Sequence, residues 1–227
     1  MDLINKLIEV LKINSKFESN TKNTSRGKLE IRSWYFSDSF VFLMKKKNNE
    51  KNLSQLFFII RYLQDKFWEK GYCFRGAVAL GGMYYPDKNE NENILLGEGI
   101  IRAYELETKV AIYPRIVVDE KVYNFIMNNK SPCSPFGKRG TKLIDLIKKD
   151  KDGIYFLDLL NPKILRRKDE KIKCKNEYFS INWEPCGESN HEHIIRKVDK
   201  IVEKGLENDN IQIKQKYEWL KSYLNEI

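Results

Sequence analysis

Asp38 stands in the short polar run Ser37-Asp38-Ser39, between two stretches of β-forming residues, KLEIRSWYF at 28–36 and FVFLMKK at 40–46. A carboxylate where a chain reverses between strands fits two roles equally, turn chemistry or a cation ligand held at a hairpin tip. His191-Glu192-His193, close behind Cys186, offers metal-ligand types, but Glu188-Ser189-Asn190 ahead of it is capping chemistry and an apolar helical pattern follows. A solvated helix start is the better account. Gly81-Gly82, Gly97 and Gly99 form neither GxxxxGK[ST] nor GxGxxG, so they read as marks of a bulge or of close backbone packing beside a strand. Glu105 and Glu107 lie two apart on an expected helix, which puts them on different faces with separate contacts. Cys73, Cys133, Cys174 and Cys186 contain no CxxC pair and read as reduced thiols. Lys45-Lys46-Lys47 falls where a strand gives way to a polar loop, and a solvated end explains it better than a nucleic-acid patch.

The elements that must position these residues follow from hydrophobic spacing. Leu3, Leu7, Ile8, Val10 and Leu11 predict a short amphipathic helix, broken by the polar stretch 15–27. The two β-type runs around Asp38 predict a hairpin. Leu53, Leu56, Phe57, Ile60, Leu63, Phe67 and Trp68 recur at helical spacing and stop before Gly71. A β run, CFRGAVALGGMYY, follows at 73–85, then the polar loop 86–93, a helix over IIRAYELETKVA and an apolar strand RIVVD at 115–119. Beyond a Pro and Gly loop, SPCSPFGKRG, the run DGIYFLDLL predicts another strand, and 190–226 predicts two helices rich in Lys and Glu. Helix, hairpin, helix, strand, helix, strand is the order of an α+β fold: an antiparallel sheet with helices on one face, followed by a helical C-terminal extension.

The 227 residues are 41% apolar, enough to bury a core and to exclude a disordered chain. With 41 Lys and Arg against 32 Asp and Glu, the net charge of +9 favours anionic partners without choosing among them. No apolar run approaches the ~20 residues a bilayer span needs, and no basic n-region with a cleavage site opens the chain, so a cytoplasmic protein without a membrane partner is expected. No internal repeat is seen.

FSDSFVFL at 36–43, GYCFRGAVALGGMYY at 71–85, LLGEGIIRAYELE at 95–107 and YPRIVVDE at 113–120 together resemble the class III nucleotidyl cyclases. They are closest to the bacterial branch that makes cyclic pyrimidine mononucleotides in Pycsar antiphage defence, and the tail segment KYEWLKSYLNE is similar to that branch as well. The resemblance implies a ferredoxin-like, palm-type catalytic domain over 1–130, with 131–227 as an extension packed on the same domain. It also implies a homodimer with sites shared across the interface, two divalent cations (Mn or Mg), a nucleoside triphosphate substrate, a separate effector that senses the cyclic nucleotide, and no nucleic-acid partner.

Residue by residue, Asp38 matches the family's second metal-binding aspartate. The first has no counterpart: Asp2 is the only acidic residue near its place, which implies either a start upstream of Met1 or a lost ligand. Ile101 and Glu105 occupy the positions of the family's transition-state Asn and Arg, so Arg75, Arg102 and Arg115 become the candidates for holding phosphate, because a guanidinium forks onto phosphate oxygens. For each, the alternative is a structural arginine paired with a carboxylate. Trp34 stands where purine cyclases carry a base-reading lysine. Four residues from Asp38 along a strand, it projects to the same side and either stacks on a base or fills the core. A large ring suits a pyrimidine, UTP ahead of CTP because UTP offers two carbonyl acceptors to an arginine. A purine cyclase, or a cyclase-like protein that binds nucleotide without turning it over, is the alternative.

Overall fold

The computed structural model describes residues 31–36, 39–44, 49–84, 95–128, 142–161 and 190–227. The helix expected over 3–11, the loop at 86–93, Asp2, Asp38, Cys133, Cys174 and Cys186 lie outside these residues.

Strands β1 (Ile31–Phe36) and β2 (Ser39–Met44) pair antiparallel, with Phe36 opposite Ser39. This is the predicted hairpin. Side chains alternate along it, so Phe40, Phe42 and Met44 share one face while Val41 and Leu43 share the other with Trp34, which lies opposite Val41. Phe42 and Met44 pack against the main core, and Phe40 meets Phe67 edge-on at 6.1 Å.

Helix α1 (Asn49–Glu69) inserts Leu53, Phe57, Ile60, Leu63 and Trp68 into that core. Its end is set by Gly71 at φ 84, where the amides of Gly71 and Tyr72 donate to the carbonyls of Trp68 and Phe67. That pair of bonds closes the last turn, and only glycine adopts the required backbone without strain.

Strand β3 (Gly76–Val78) leads through a glycine-rich segment into helix α2 (Glu98–Glu105), a π-helical turn (Leu106–Val110) and strand β4 (Ile116–Val118). Among the described residues the β run expected over 73–85 is therefore short, continued only by an isolated bridge from Met83 to Gly97. Wider spacing in the π turn lets Leu106 and Ala111, five residues apart, both reach Val117. After β4 come helix α3 (Glu120–Asn128), a 3-10 turn (Leu143–Leu146), strands β5 (Ile147–Lys149) and β6 (Tyr155–Leu157), and the helical pair α4 (Asn190–Leu206) and α5 (Ile211–Leu224).

The chain is thus a mixed α and β fold with a four-stranded sheet ordered β3-β4-β6-β5. Two expectations need correction. The sheet is not purely antiparallel: β3 and β4 are parallel, because the helical crossover returns the chain to the same end of the sheet, while β6 is antiparallel to both neighbours. Nor do helices cover one face only. All three residues of β4 are buried; Val117 joins Leu106 and Ala111 on one side, while Ile116 and Val118 join the large core that includes Val122 and Ile126 of α3. An unbroken apolar strand of this kind is a strand covered on both faces. Among the described residues no helix is long and apolar enough to cross a membrane.

Candidate functional site

The motif segments after the hairpin fold into one β3-α2-β4 unit. Its glycines allow the chain to pass very close to itself: a Cβ on Gly81 would come 2.5 Å from the Gly99 amide nitrogen, and one on Gly97, at φ 146, would come 2.4 Å from the Gly82 carbonyl oxygen. Close packing is therefore the role of Gly81, Gly97 and Gly99, whereas an added Cβ on Gly82 would meet nothing within 4 Å, so the reading fails there.

The three candidate arginines are distributed over this unit, not gathered. Register Gly76 to Ile116 places Arg75 and Arg115, each immediately before its strand, at one end of the parallel pair. Arg102 is held at the other end, by Asp119, which follows β4. Arg75 lies 2.7 Å from Glu107 through Nε and donates from Nη1 to the Ala111 carbonyl at 3.5 Å. Glu105 meets Lys109 instead, so the two glutamates do make separate contacts. Arg102 donates from Nε and Nη2 to one oxygen of Asp119, at 3.2 and 3.0 Å. A second link, Lys121 to Glu98 at 2.9 Å, ties the start of α2 to the start of α3, and the Lys121 ammonium holds the Glu98 carboxyl below its usual range.

Arg115 is enclosed, its side chain 1% exposed. It donates to Asp150 and Asp152, and its guanidinium carbon lies 5.1 Å from the Tyr113 ring centre, 5.6 Å from that of Trp219 and 6.0 Å from that of Phe156. Burial alone would raise the Asp152 carboxyl, yet hydrogen bonding from Arg115 keeps it below its usual value. Trp219 Nε1 donates to Asp150 at 2.8 Å, which closes the network. All three arginines thus carry the carboxylate partner of the structural alternative, while Arg75 and Arg102 also keep 39% and 44% of their side chains exposed.

Trp34 is half-buried and shares its strand face with Val41 and Leu43, away from the residues that pack on the core. Asp38 lies outside the described residues, one of the two residues that connect Phe36 to Ser39. Among the described residues no group of three or more His, Cys, Asp or Glu is arranged to hold a metal ion, and Asp119 is taken by Arg102. The described residues therefore do not make up the two-cation site that the resemblance implies, and no chemical step is assigned to a cation. His193 falls in the first turn of α4, as the capping pattern predicted. Burial pushes the Cys73 thiol up to about 12, away from the thiolate form.

Sequence reasoning missed Asp119, Lys121, Asp150 and Asp152. Asp119 had a signal: a carboxylate directly after an apolar strand sits where ligands approach an α/β unit, outside the carboxyl end of the strand. Comparison with protein-family models, with curated proteins and with solved structures gave no match.

Proposed function

We propose that the chain is a nucleotidyl cyclase with a palm-like catalytic domain, acting as a head-to-tail homodimer on a pyrimidine nucleoside triphosphate, UTP ahead of CTP. The observation that carries this proposal is the state of α2. It buries none of its eight residues, and it exposes Ile101 and Tyr104 at 61% and 66% of their surfaces. Leu96 before it and Ile112 after it are exposed as well. A helix with large apolar side chains on its open face is suited to a second protein surface, and in the resembled family this helix faces the partner across a two-fold axis. The placement of Trp34 away from the core face of the hairpin supports the stacking role for its ring.

In the proposed reaction the 3′-oxygen of the nucleotide bonds to its own α-phosphorus. The bond from that phosphorus to the bridging oxygen breaks, pyrophosphate leaves, and the hydroxyl proton passes to solvent. Arg75 or Arg102, which lie at opposite ends of the β3-β4 pair, would neutralise charge on the phosphates, Asp38 would hold one of the two divalent cations that the resemblance implies, and the cyclic product signals to a separate effector in antiphage defence. The carboxylate pairing of every candidate arginine favours one second possibility, a cyclase-like protein that binds nucleotide without turnover.

Incubation with each of the four nucleoside triphosphates and manganese, followed by chromatography for cyclic product and pyrophosphate, tests the proposal. Cyclic UMP in excess of cyclic CMP is expected, abolished by Asp38→Ala. Nucleotide binding without any cyclic product establishes the second possibility, and turnover of ATP or GTP at least as fast as UTP overturns the pyrimidine assignment.

A further inference from the structure

Asp119 has 2% of its side chain exposed and uses a single oxygen, Oδ1, to accept both Nε–H and Nη2–H of Arg102. Its other oxygen, Oδ2, is buried with no hydrogen-bond partner among the described residues. Among the described residues Arg102 is the one side chain paired with this carboxylate, which otherwise has only the N-terminus of α3 beside it, so releasing Arg102 would strand a desolvated anion. This fixes the guanidinium by its side edge. A guanidinium has two edges able to grip an oxyanion, the Nε/Nη2 side and the Nη1/Nη2 end. With the side edge committed to Asp119, the end edge is left, on a side chain that is 44% exposed and whose Nη1 has no partner among the described residues.

From this geometry we infer that Asp119 is a positioning residue, which clamps Arg102 so that its Nη1/Nη2 edge receives two oxygens of a polyphosphate. The inference rests on the proposed nucleotide chemistry for its ligand class, and it adds which edge of which arginine binds and what holds it there. Arg75, paired through its own Nε to a partly exposed Glu107 at the opposite end of the strands, lacks a buried anchor of this kind.

The test is a double-mutant cycle on affinity, read by calorimetry with inorganic tripolyphosphate and separately with UTP. Arg102→Lys keeps the charge and can still reach Asp119 but loses the planar fork. Asp119→Asn keeps an acceptor and removes the charge that fixes it. Each single variant is expected to weaken tripolyphosphate binding by about tenfold, the scale of one charge-assisted hydrogen-bonded contact, and the double variant no further than either one. Thermal melting of all three checks the fold; if Asp119→Asn does not fold, Arg102→Lys is compared with Lys121→Ala, which removes a neighbouring cation and should weaken binding less. Additive losses, or unchanged affinity in the folded variants, overturn the inference. Tripolyphosphate binding with the expected pattern but no turnover of any nucleotide overturns the cyclase proposal and leaves this inference standing, whereas turnover with unaltered affinity in both single variants does the reverse.

Discussion

Arg115 joins three parts of the chain that are distant in sequence. Its backbone precedes β4, its carboxylate partners Asp150 and Asp152 sit in the turn between β5 and β6, and the Trp219 ring beside it belongs to α5. A buried guanidinium is tolerated only where carboxylates and ring faces replace its water, and here both do. Arg115→Met keeps much of the volume but leaves the Asp150 carboxylate, 14% exposed, without its cation. Since Asp152 is 42% exposed and water takes over part of its solvation, a loss of about 2–4 kcal/mol is expected in urea unfolding, below the upper range for a fully buried pair. A change under about 0.5 kcal/mol would mean that the network is no more than a surface pair. The same residue shows what sequence could and could not say: that an arginine follows Tyr-Pro is plain to read, but its partners lie 35 and 37 residues away. Asp119 is in the same position, since its 17-residue separation from Arg102 becomes a contact only through the helical crossover.

At the scale of elements, α4 and α5 pack at Gly205, where an added Cβ would lie 2.2 Å from the Tyr217 ring. Gly205→Ala must push the helices apart or displace the ring, at a cost of about 1–3 kcal/mol. Thermal melts should show this loss, partly recovered by pairing the change with Tyr217→Leu. Gly82→Ala is the control, having nothing within 4 Å of its added methyl, and should melt within about 0.5 kcal/mol of the parent. Long periodic segments such as α1, α4 and α5 were legible because their apolar stripes repeat over many turns. The hairpin was legible from its polar turn. Helix α3 escaped because only Val122 and Ile126 of its nine residues are buried, a stripe too short to stand out beside the strand that precedes it. Strand β5 is the three residues Ile147–Lys149, with two lysines, and carries almost no β signal of its own. Its place comes from pairing with β6, which is a property of the sheet and not of the segment.

Across the whole molecule, the end of the chain holds the far side of the sheet. Tyr223 of α5 donates its hydroxyl to Asp158 just past β6, and Glu226 bonds Lys148 at 2.7 Å and Lys151 at 2.8 Å. Hydrogen bonds from these two lysines lower the Glu226 carboxyl to about 2, from 4.5. A carboxyl depressed in the fold adds stability above its unfolded value, and that stability drains away as pH falls from 4.5 toward 2. Glu226→Gln should therefore flatten part of the acid limb of a urea-midpoint against pH curve, with the difference shrinking in high salt because the group is exposed. No difference between the two curves at low salt would show that the bridge carries nothing. The hairpin stands at the opposite extreme. Among the described residues β1 and β2 pair only with each other, so the ribbon is attached to the rest through one face against α1 and the core, while β4 is bonded on both edges. Two-stranded ribbons are marginal by themselves, and local openings need break only that one contact. In deuterium exchange the amides of 39–44 should therefore label through partial opening, at low denaturant and well before those of 116–118, which should wait for global unfolding. The strand bearing Trp34 can then breathe while the four-stranded sheet stays shut.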